Sequence, residues 1–250
     1  MKRGLVWFTE DLRLDDNETL LKAIEENEEV LPVYFWTEHE QKPQFGIPRL
    51  GDTRKAFIQE SLANLQQQLH AIGGSLLVLN GSPVDQITGL CKQFGIRKVY
   101  TKKQVGSEEK TSQIRVKERL LAIAVDFETY SSSTLFHPDD LPFSVRDIPL
   151  LFTKFRKLAE KESVVRSPFN PPERIIVPPF EEVIIARTLS SKPTWLQGGE
   201  GHALERLHHF IWEHQAIKTY KETRDQLSGL DLSTKFSAWL SQGCISPRRI

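Results

Sequence analysis

The sequence predicts an α/β protein with an open, parallel, doubly wound sheet of five strands, followed by a linker and by the beginning of an all-α domain. Short apolar runs of strand length alternate with helical patterns from residue 4 to about residue 130. Prolines are then concentrated between Ser167 and Pro193. From Gly199 onward the pattern is helical and lacks strand-like alternation. Because parallel neighbours need long right-handed crossovers, the alternation of strands and helices favours a parallel sheet.

Five apolar runs have the length and composition of strands that are buried on both faces. They are GLVWF, VLPVYFW, SLLVLN, KVYT and VDFETY. The clearest helical pattern between them extends from Arg49 to Ile72, and Gly73 with Gly74 supplies a left-handed stop. Apolar residues recur there at steps of three and four, at Ile58, Leu62, Leu65, Leu69 and Ile72.

The composition changes along the chain predict three parts. Residues 1–131 form the α/β domain, 132–198 an interdomain connection with a proline-rich, semi-extended linker, and 199–250 the first part of a helical domain. Within the connection, the stretch from Pro149 to Lys161 predicts an amphipathic helix. His137 could be a ligand or a base, but with Pro138 and two aspartates beside it a turn and capping role is favoured.

Composition excludes several broad classes. Lys plus Arg equals Asp plus Glu at 33 each, so nucleic acid or an anionic membrane would have to meet a local basic patch. Cys91 and Cys244 form no CxxC pair and no metal-ligand spacing. No apolar run approaches the roughly 20 residues of a membrane span, and the start is too short for a signal peptide. We expect a reduced, cytoplasmic protein with neither a membrane partner nor a metal site.

The predicted loop after the first strand, FTEDLRLDDN, is unsuited to binding a dinucleotide. It contains no glycine, so neither GxGxxG nor a P-loop can form, and its four acids would repel a pyrophosphate. One interpretation is a solvated loop in which Asp16 or Asn17 caps the next helix and Arg13 is the centre of local ion pairs. The other is an acid pair for catalysis, although nothing nearby supplies a nucleophile or a base.

The last segment, from Gln215 to Ile250, combines basic and aromatic side chains. It carries six basic residues against three acids, with Tyr220, Phe236 and Trp239 interleaved. Such a surface suits a phosphate-bearing aromatic ligand or nucleic acid, while for Phe236 and Trp239 taken alone the helical spacing favours a place in the core. Ser233 or Thr234 could cap a following helix, whose first turn, with Lys235 beside it, would be suited to phosphate.

Long stretches of the sequence resemble the photolyase and cryptochrome family, in particular its DASH branch. They are IKTYKETRDQLSGLDLSTKFSAWLSQGCISPRRI, HPDDLPFSVRDIPLLFTKFRK, LVWFTEDLRLDDNETL and GDTRKAFIQESLANLQQQLHAIGGSLLVLNGSP. The resemblance implies an α/β antenna domain followed by a helical domain that holds FAD. It implies blue-light repair of cyclobutane pyrimidine dimers in DNA, mainly single-stranded DNA, or photoreception. Flipping a dimer out costs least from an unpaired strand.

The resemblance also assigns roles to individual residues. Tyr220 matches a tyrosine on the flavin side of the pocket, and Arg224 matches a DNA-contacting position, although an exposed helix charge would look the same. The segment that wraps the FAD phosphates is matched by Ser233, Thr234, Lys235, Phe236 and Ser237. Two departures stand out: Thr9 replaces a common arginine, and Gln104 replaces the usual glutamate near the antenna folate. Binding of methenyltetrahydrofolate is therefore an open question.

The largest departure from the family is length, because its helical domain continues for roughly another domain. The resemblance places the remaining FAD contacts and the tryptophan chain there. We therefore expect this chain to bind FAD weakly or not at all, and its last helices to leave an apolar face exposed. The alternative function is a non-catalytic α/β module that binds a small chromophore or a partner without photochemistry.

Overall fold

The computed structural model describes residues 1–37, 45–47, 49–185, 196–226 and 229–250. All five predicted strands form, and they lie in one sheet. Their bounds are β1 Arg3–Phe8, β2 Glu29–Trp36, β3 Leu77–Asn80, β4 Lys98–Lys102 and β5 Asp126–Tyr130. The strand order is β3-β2-β1-β4-β5, and every pairing is parallel. The predicted fold class is confirmed, and the direction of winding reverses at β1, where a ligand crevice is expected.

Helices cover both faces of the sheet and follow the predicted pattern. The first four are α1 Glu18–Glu26, α2 Asp52–Ala71, α3 Pro83–Phe94 and α4 Ser107–Leu121. Asn17 caps α1 by accepting a hydrogen bond from the Leu20 amide at 3.1 Å, as predicted for Asp16 or Asn17. Helix α2 ends one residue before the predicted Ile72, and Gly73 has the expected left-handed backbone, with φ of +84°.

In the described part of the connection after β5 there is one α-helix, α5 Phe152–Glu162, which buries only Ala159. His137 caps a short 3-10 turn by accepting from the Asp139 amide, so its predicted structural role is confirmed. As far as residue 185 the proline-rich segment contains no helix or strand and is not a free tether, which corrects the prediction in part; the rest of it, to Pro193, lies outside the described residues. Ile175 is buried, and its amide donates to the Ile72 carbonyl at 3.0 Å.

The last part of the chain is helical. Its elements are α6 Glu200–His208, a π turn His209–Glu213, a 3-10 turn Ala216–Thr219, α7 Tyr220–Thr223 and α8 Ser237–Ser241. The prediction that these helices expose their apolar face is wrong for the side of α6 and α8 that meets α2. Ala203, Leu207 and Trp239 are buried in one core with residues of α2. The division at residues 131 and 198 stays a prediction.

None of the helices in the described part of the chain has both the length and the apolar character that crossing a membrane requires. The same residues contain no group of three or more His, Cys, Asp or Glu side chains arranged to hold a metal ion. Cys91 and Cys244 are both free and buried. Burial raises the pKa of Cys91 to about 12 and that of Cys244 to about 11, so neither thiol is a ready nucleophile.

Candidate cofactor sites

The loop that follows β1 is buried, which overturns its interpretation as a solvated loop. Asp11 and Asp16 are fully buried, Asp15 is 9 % exposed and Arg13 is 2 % exposed. Burial raises the pKa of the Asp11 carboxyl above its usual value, against the opposing effect of the Lys102 charge. This loop is therefore part of the interior, and its charges need partners within the protein.

Arg13 is not the centre of an ion-pair cluster, as the sequence suggested. Its guanidinium donates to four backbone carbonyls, at distances of 2.9 to 3.3 Å. The acceptors are Asp15, Asp16, Ser132 and Gly243. These carbonyls belong to the β1 loop, the connection after β5 and the end of α8, so one buried side chain joins all three predicted parts of the chain.

The two aspartates of the loop hold the end of the chain. Arg248 forms a bidentate pair with Asp16, at 2.6 and 2.9 Å, and only 6 % of the Arg248 side chain is exposed. Arg249 pairs in the same way with Asp15, at 2.7 Å for its Nε, in a more exposed position. Ser246 also donates to the Asp16 carboxylate. We call these ion pairs, formed by residues 15, 16, 248 and 249, the arginine seam.

Helix α6 contacts the same loop through a buried acid. Glu200 accepts from the Leu14 and Asp15 amides at 2.9 Å each. Burial raises the pKa of Glu200, while these two hydrogen bonds oppose the rise. Gly198, just before α6, lies so close to α2 that an added Cβ would be 2.1 Å from the Phe57 carbonyl oxygen. The β1 loop is thus an interface between the sheet and the helical segment, which accounts for its acids without any catalytic role.

A pocket opens at the carboxyl ends of β1, β2 and β4, where the winding of the sheet reverses. We call it the edge pocket; it encloses about 620 Å³, including space open to solvent. It is lined by Trp7, Phe8, Thr9, Glu10, Tyr34, Phe35, Thr37, Arg54, Ile58, Pro83, Gln104, Glu109, Ser112 and Gln242. Aromatic side chains that are almost fully buried form one wall, and charged side chains lie at its rim. This combination suits a planar heteroaromatic ligand.

The two departures from the family pattern meet in this pocket. The Gln104 side-chain amide donates to the Thr9 hydroxyl at 2.9 Å and to the Glu10 carboxylate at 2.7 Å. Glu10 is also paired with Lys102, at 3.2 Å. Both N–H groups of Gln104 are therefore engaged within the protein, and only its carbonyl oxygen is left to face a ligand.

A second candidate site lies on the helical segment, in the loop before α8. Arg206 of α6 organises this loop by donating to the carbonyls of Leu230, Ser233 and Thr234 at 2.7 to 3.1 Å. It also forms an ion pair with Asp231 at 2.6 Å. The hydrogen bond from Arg206, together with its charge, lowers the pKa of the Asp231 carboxyl, and His209 and His214 add to the effect. No sequence pattern points to Arg206, because its partners are mostly backbone atoms.

The loop places the predicted phosphate-contacting residues together. Among the residues that the structure describes, none forms a hydrogen bond with the hydroxyls of Ser233, Thr234 or Ser237. The predicted cap is wrong: α8 begins at Ser237 with Phe236 as its N-cap, and no side chain caps it. The Phe236 side chain is buried, so only the backbone groups of this residue could contact a phosphate. Lys235 has a left-handed backbone, with φ of +59°.

The other two predicted site residues lie on α7 and just after it. The Tyr220 ring packs edge-on against Phe210, and that ring also lies against Arg206. Arg224 is exposed, with Asp225 at 3.8 Å. Thr223 donates to the Leu232 carbonyl at 2.9 Å, which ties α7 to the loop before α8. The predicted flavin residues therefore lie in one region, whereas Gln104 belongs to the separate edge pocket.

A parallel sheet with a pocket at its winding reversal, and a helical segment docked on the same edge, defines a doubly wound α/β protein with a candidate ligand site. Comparison with known proteins identifies the family: the DNA photolyase family model matches residues 4–173. This chain belongs to the DNA photolyase family.

The individual relatives are cryptochromes of the DASH type. Cryptochrome DASH of Synechocystis sp. is 36% identical over 98% of this chain and 53% of its own length. Cryptochrome DASH of Danio rerio is 40% identical over 96% of this chain and 49% of its own length. A Synechocystis cryptochrome crystal structure covers all of this chain and 54% of its own, at 35% identity and a TM-score of 0.91. This chain spans about half the length of these relatives.

Proposed function

We propose that this chain is part of a DASH-type cryptochrome or photolyase that uses blue light and FAD. The family resemblance implies that the reaction is the splitting of cyclobutane pyrimidine dimers in single-stranded DNA, which is a carbon–carbon lyase reaction. The alternative role within the family is photoreception. The division proposed is an antenna domain at 1–131, a connection at 132–198 and the start of the FAD domain at 199–250. The cytoplasm remains the proposed location.

The loop before α8 is the observation that carries the proposal. FAD brings a pyrophosphate, and FAD when bound supplies the light absorption and electron transfer of the reaction. Three hydroxyls on the loop, those of Ser233, Thr234 and Ser237, lack partners among the described residues and suit phosphate oxygens. Lys235 adds a positive charge. Arg206 holds the backbone in place, which lowers the entropy cost of binding.

Three further roles follow from the same proposal. The edge pocket holds an antenna chromophore of the folate type, methenyltetrahydrofolate, on its aromatic wall. Tyr220 lies on the flavin side of the FAD site, and the exposed Arg224 contacts DNA phosphate. None of these roles needs a catalytic acid, base or nucleophile from residues 1–250.

The test uses the 250-residue chain and a chimera. In the chimera, residues 1–250 replace the matching half of the Synechocystis relative, which aligns with 98% of this chain. We expect the 250-residue chain to retain little or no FAD on gel filtration. We expect the folded chimera to retain stoichiometric FAD and to repair dimers in a single-stranded oligonucleotide under blue light. A folded chimera without flavin would contradict the proposal.

A triple variant tests the loop itself. Replacing Ser233, Thr234 and Ser237 with Ala in the chimera removes up to three hydrogen bonds, and we expect FAD affinity to fall about tenfold or more. Ser241→Ala is the matched control, because that α8 hydroxyl already donates to the Ala238 carbonyl. Equal affinity in the triple variant and the control would remove the loop from the FAD site.

The alternative function, a binding module without photochemistry, is favoured by one observation. All but Gln242 of the residues that line the edge pocket lie between Trp7 and Ser112, within the proposed α/β domain. If the 250-residue chain binds a chromophore in the edge pocket while the folded chimera holds no flavin, this alternative replaces the main proposal.

A further inference from the structure

Three histidines lie where α6 continues into the π turn. His208 is the last residue of α6, His209 is the first residue of the π turn, and His214 follows that turn. The His214 amide donates to the His209 carbonyl at 2.8 Å, which is the bond between residues five apart that characterises a π turn. The rings of these two residues are stacked, with centroids 5.6 Å apart and planes 4° from parallel. Turns of this type are rare and often occur at functional sites.

Both ring nitrogens of His209 face carboxylate oxygens. Nδ1 lies 3.1 Å from Oε2 of Glu213 in the π turn, and Nε2 lies 3.2 Å from Oδ1 of Asp231 in the loop before α8. A neutral imidazole has one N–H donor and one lone pair, whereas an imidazolium donates from both nitrogens. The two contacts are therefore favourable together only when His209 is protonated.

The other charged groups of this cluster leave room for one more positive charge. His208 lies 3.1 Å from Glu213, and His214 lies 3.9 Å from Asp231, so each of these rings is paired with one acid. Asp231 is also paired with Arg206 of α6. Two carboxylates and one guanidinium leave one negative charge uncompensated. His209 is the best placed of the three histidines to balance it, because its ring lies between both carboxylates.

Both carboxylates stay ionised in the range where histidine titrates. The hydrogen bond and charge of Arg206 lower the pKa of Asp231. The hydrogen bond from His209 lowers the pKa of Glu213, and His208 adds to the effect. Histidine ordinarily titrates at about pH 6.5. Between about pH 5.5 and 8.5 the charge that changes in this cluster is therefore that of the imidazole rings.

Asp231 connects His209 with the loop before α8. Its Oδ1 atom also accepts from Arg206, which holds the carbonyls of residues 230, 233 and 234. A charge-assisted hydrogen bond is about twice as strong as a neutral one. A neutral His209 can donate to only one of the two acids, and its link to the loop then has no positive charge. A loop that is correctly ordered for only part of the time has an affinity reduced by that fraction.

We propose that His209 is a positioning residue for the loop before α8, and that its protonation makes the affinity of this loop for a pyrophosphate dependent on pH. The imidazolium joins Glu213 to Asp231 and fixes the loop. This stabilisation is fully present below the ordinary titration range of histidine and is lost as the pH rises through it. The role rests on the proposed function, in which the loop holds the pyrophosphate of FAD, a group that does not titrate in this range.

The first measurement is amide hydrogen exchange of residues 229–236 in the 250-residue chain without ligand, with each rate divided by the intrinsic rate at its pH. We expect protection to fall about two- to fivefold between about pH 5.5 and 8.5, the size expected of partly exposed ion pairs. His209→Gln should give the lower protection at both pH values, because its side chain is neutral. His209→Arg should give the higher protection at both, because arginine stays charged.

The second measurement is the FAD affinity of the chimera, by fluorescence titration of the flavin-free protein at the same two pH values. We expect FAD to bind about two- to fivefold more weakly at the higher pH. This difference should disappear in His209→Gln and in His209→Arg, and the arginine variant should bind more tightly than the glutamine variant. His202→Gln is the matched control, because His202 lies on α6 and pairs with Glu205 at 3.1 Å, away from Asp231. It should keep the pH dependence of the parent chimera.

Several results would overturn the role of His209. They are equal protection of the loop at both pH values, an unchanged pH dependence in His209→Gln, and the same loss of pH dependence in His202→Gln. A chimera that binds FAD with equal affinity at both pH values would overturn this role and leave the proposed function standing. A folded chimera that holds no flavin at either pH would remove the proposed function, and the role of His209 in FAD binding with it.

Discussion

The arginine seam makes a quantitative prediction for Arg248→Ala. Arg248 is 6 % exposed, and its partner Asp16 is fully buried. Truncating Arg248 leaves the Asp16 carboxylate in the interior with two partners among the described residues, the Ser246 hydroxyl and the Phe169 backbone amide. Removing one member of a buried pair costs about 3–5 kcal/mol, a large share of the roughly 5–15 kcal/mol that stabilises a typical domain.

The neighbouring pair is the control. Arg249 is 33 % exposed, so Arg249→Ala should cost no more than about 1 kcal/mol. Both variants are measured by urea unfolding, followed by far-UV circular dichroism and by tryptophan fluorescence, since the buried Trp239 reports on the helical segment. Asp16→Asn added to Arg248→Ala should recover part of the loss, because a buried amide costs less than a buried charge. Equal losses in the two single variants, or no recovery, would refute the reasoning.

Three further predictions concern the helical segment. Gly198→Ala should cost about 1–3 kcal/mol in thermal unfolding, because its Cβ would lie 2.1 Å from a carbonyl oxygen of α2. Gly201→Ala, whose nearest contact is 3.7 Å away, should be neutral or stabilising. The hydrogen bond and charge of Arg206 lower the pKa of Asp231, so the stabilisation of the loop by this pair is present above the ordinary pKa and is lost as the pH falls through the lowered value. Amide exchange of the loop should rise at acid pH, and Asp231→Asn should abolish that rise; an unchanged pH profile would contradict it. Burial raises the pKa of Cys244 to about 11, so iodoacetamide at about pH 8 should modify it only after unfolding in urea, and labelling of the native protein would show otherwise.

The sheet could be predicted because its signal is local. A strand buried on both faces must be apolar throughout, so Leu5 to Phe8 and Val30 to Phe35 are visible as apolar runs. The end of α2 could be predicted for a similar reason, since the left-handed backbone at Gly73 favours glycine. In both cases the residues that make the pattern recognisable in the sequence are the same residues that form the strand or end the helix.

The acids of the β1 loop show why other features could not be predicted. Asp15 and Asp16 have charged side chains, and a charged residue on its own predicts exposure to solvent. Their burial depends on Arg248 and Arg249, which lie more than 230 positions further along the chain. The role of Arg13 is even harder to predict from the sequence, because its partners are backbone carbonyl oxygens, which every residue has.

The same contacts change what the basic surface of the last segment can do. The segment has six basic residues, but Arg248 and Arg249 are paired with acids inside the protein as members of the arginine seam. Four remain for an external anion: Lys218, Lys221, Arg224 and Lys235.

These four residues set a limit on the salt dependence of the proposed binding of single-stranded DNA. Each phosphate contact contributes about −0.7 to the slope of log affinity against log salt concentration, so this segment should contribute no more than about −3. Filter binding between about 50 and 200 mM salt measures the slope, and Arg224→Gln in the folded chimera should reduce it by about 0.7. A loss of affinity without a change in slope would show that Arg224 acts through the fold and contacts no phosphate.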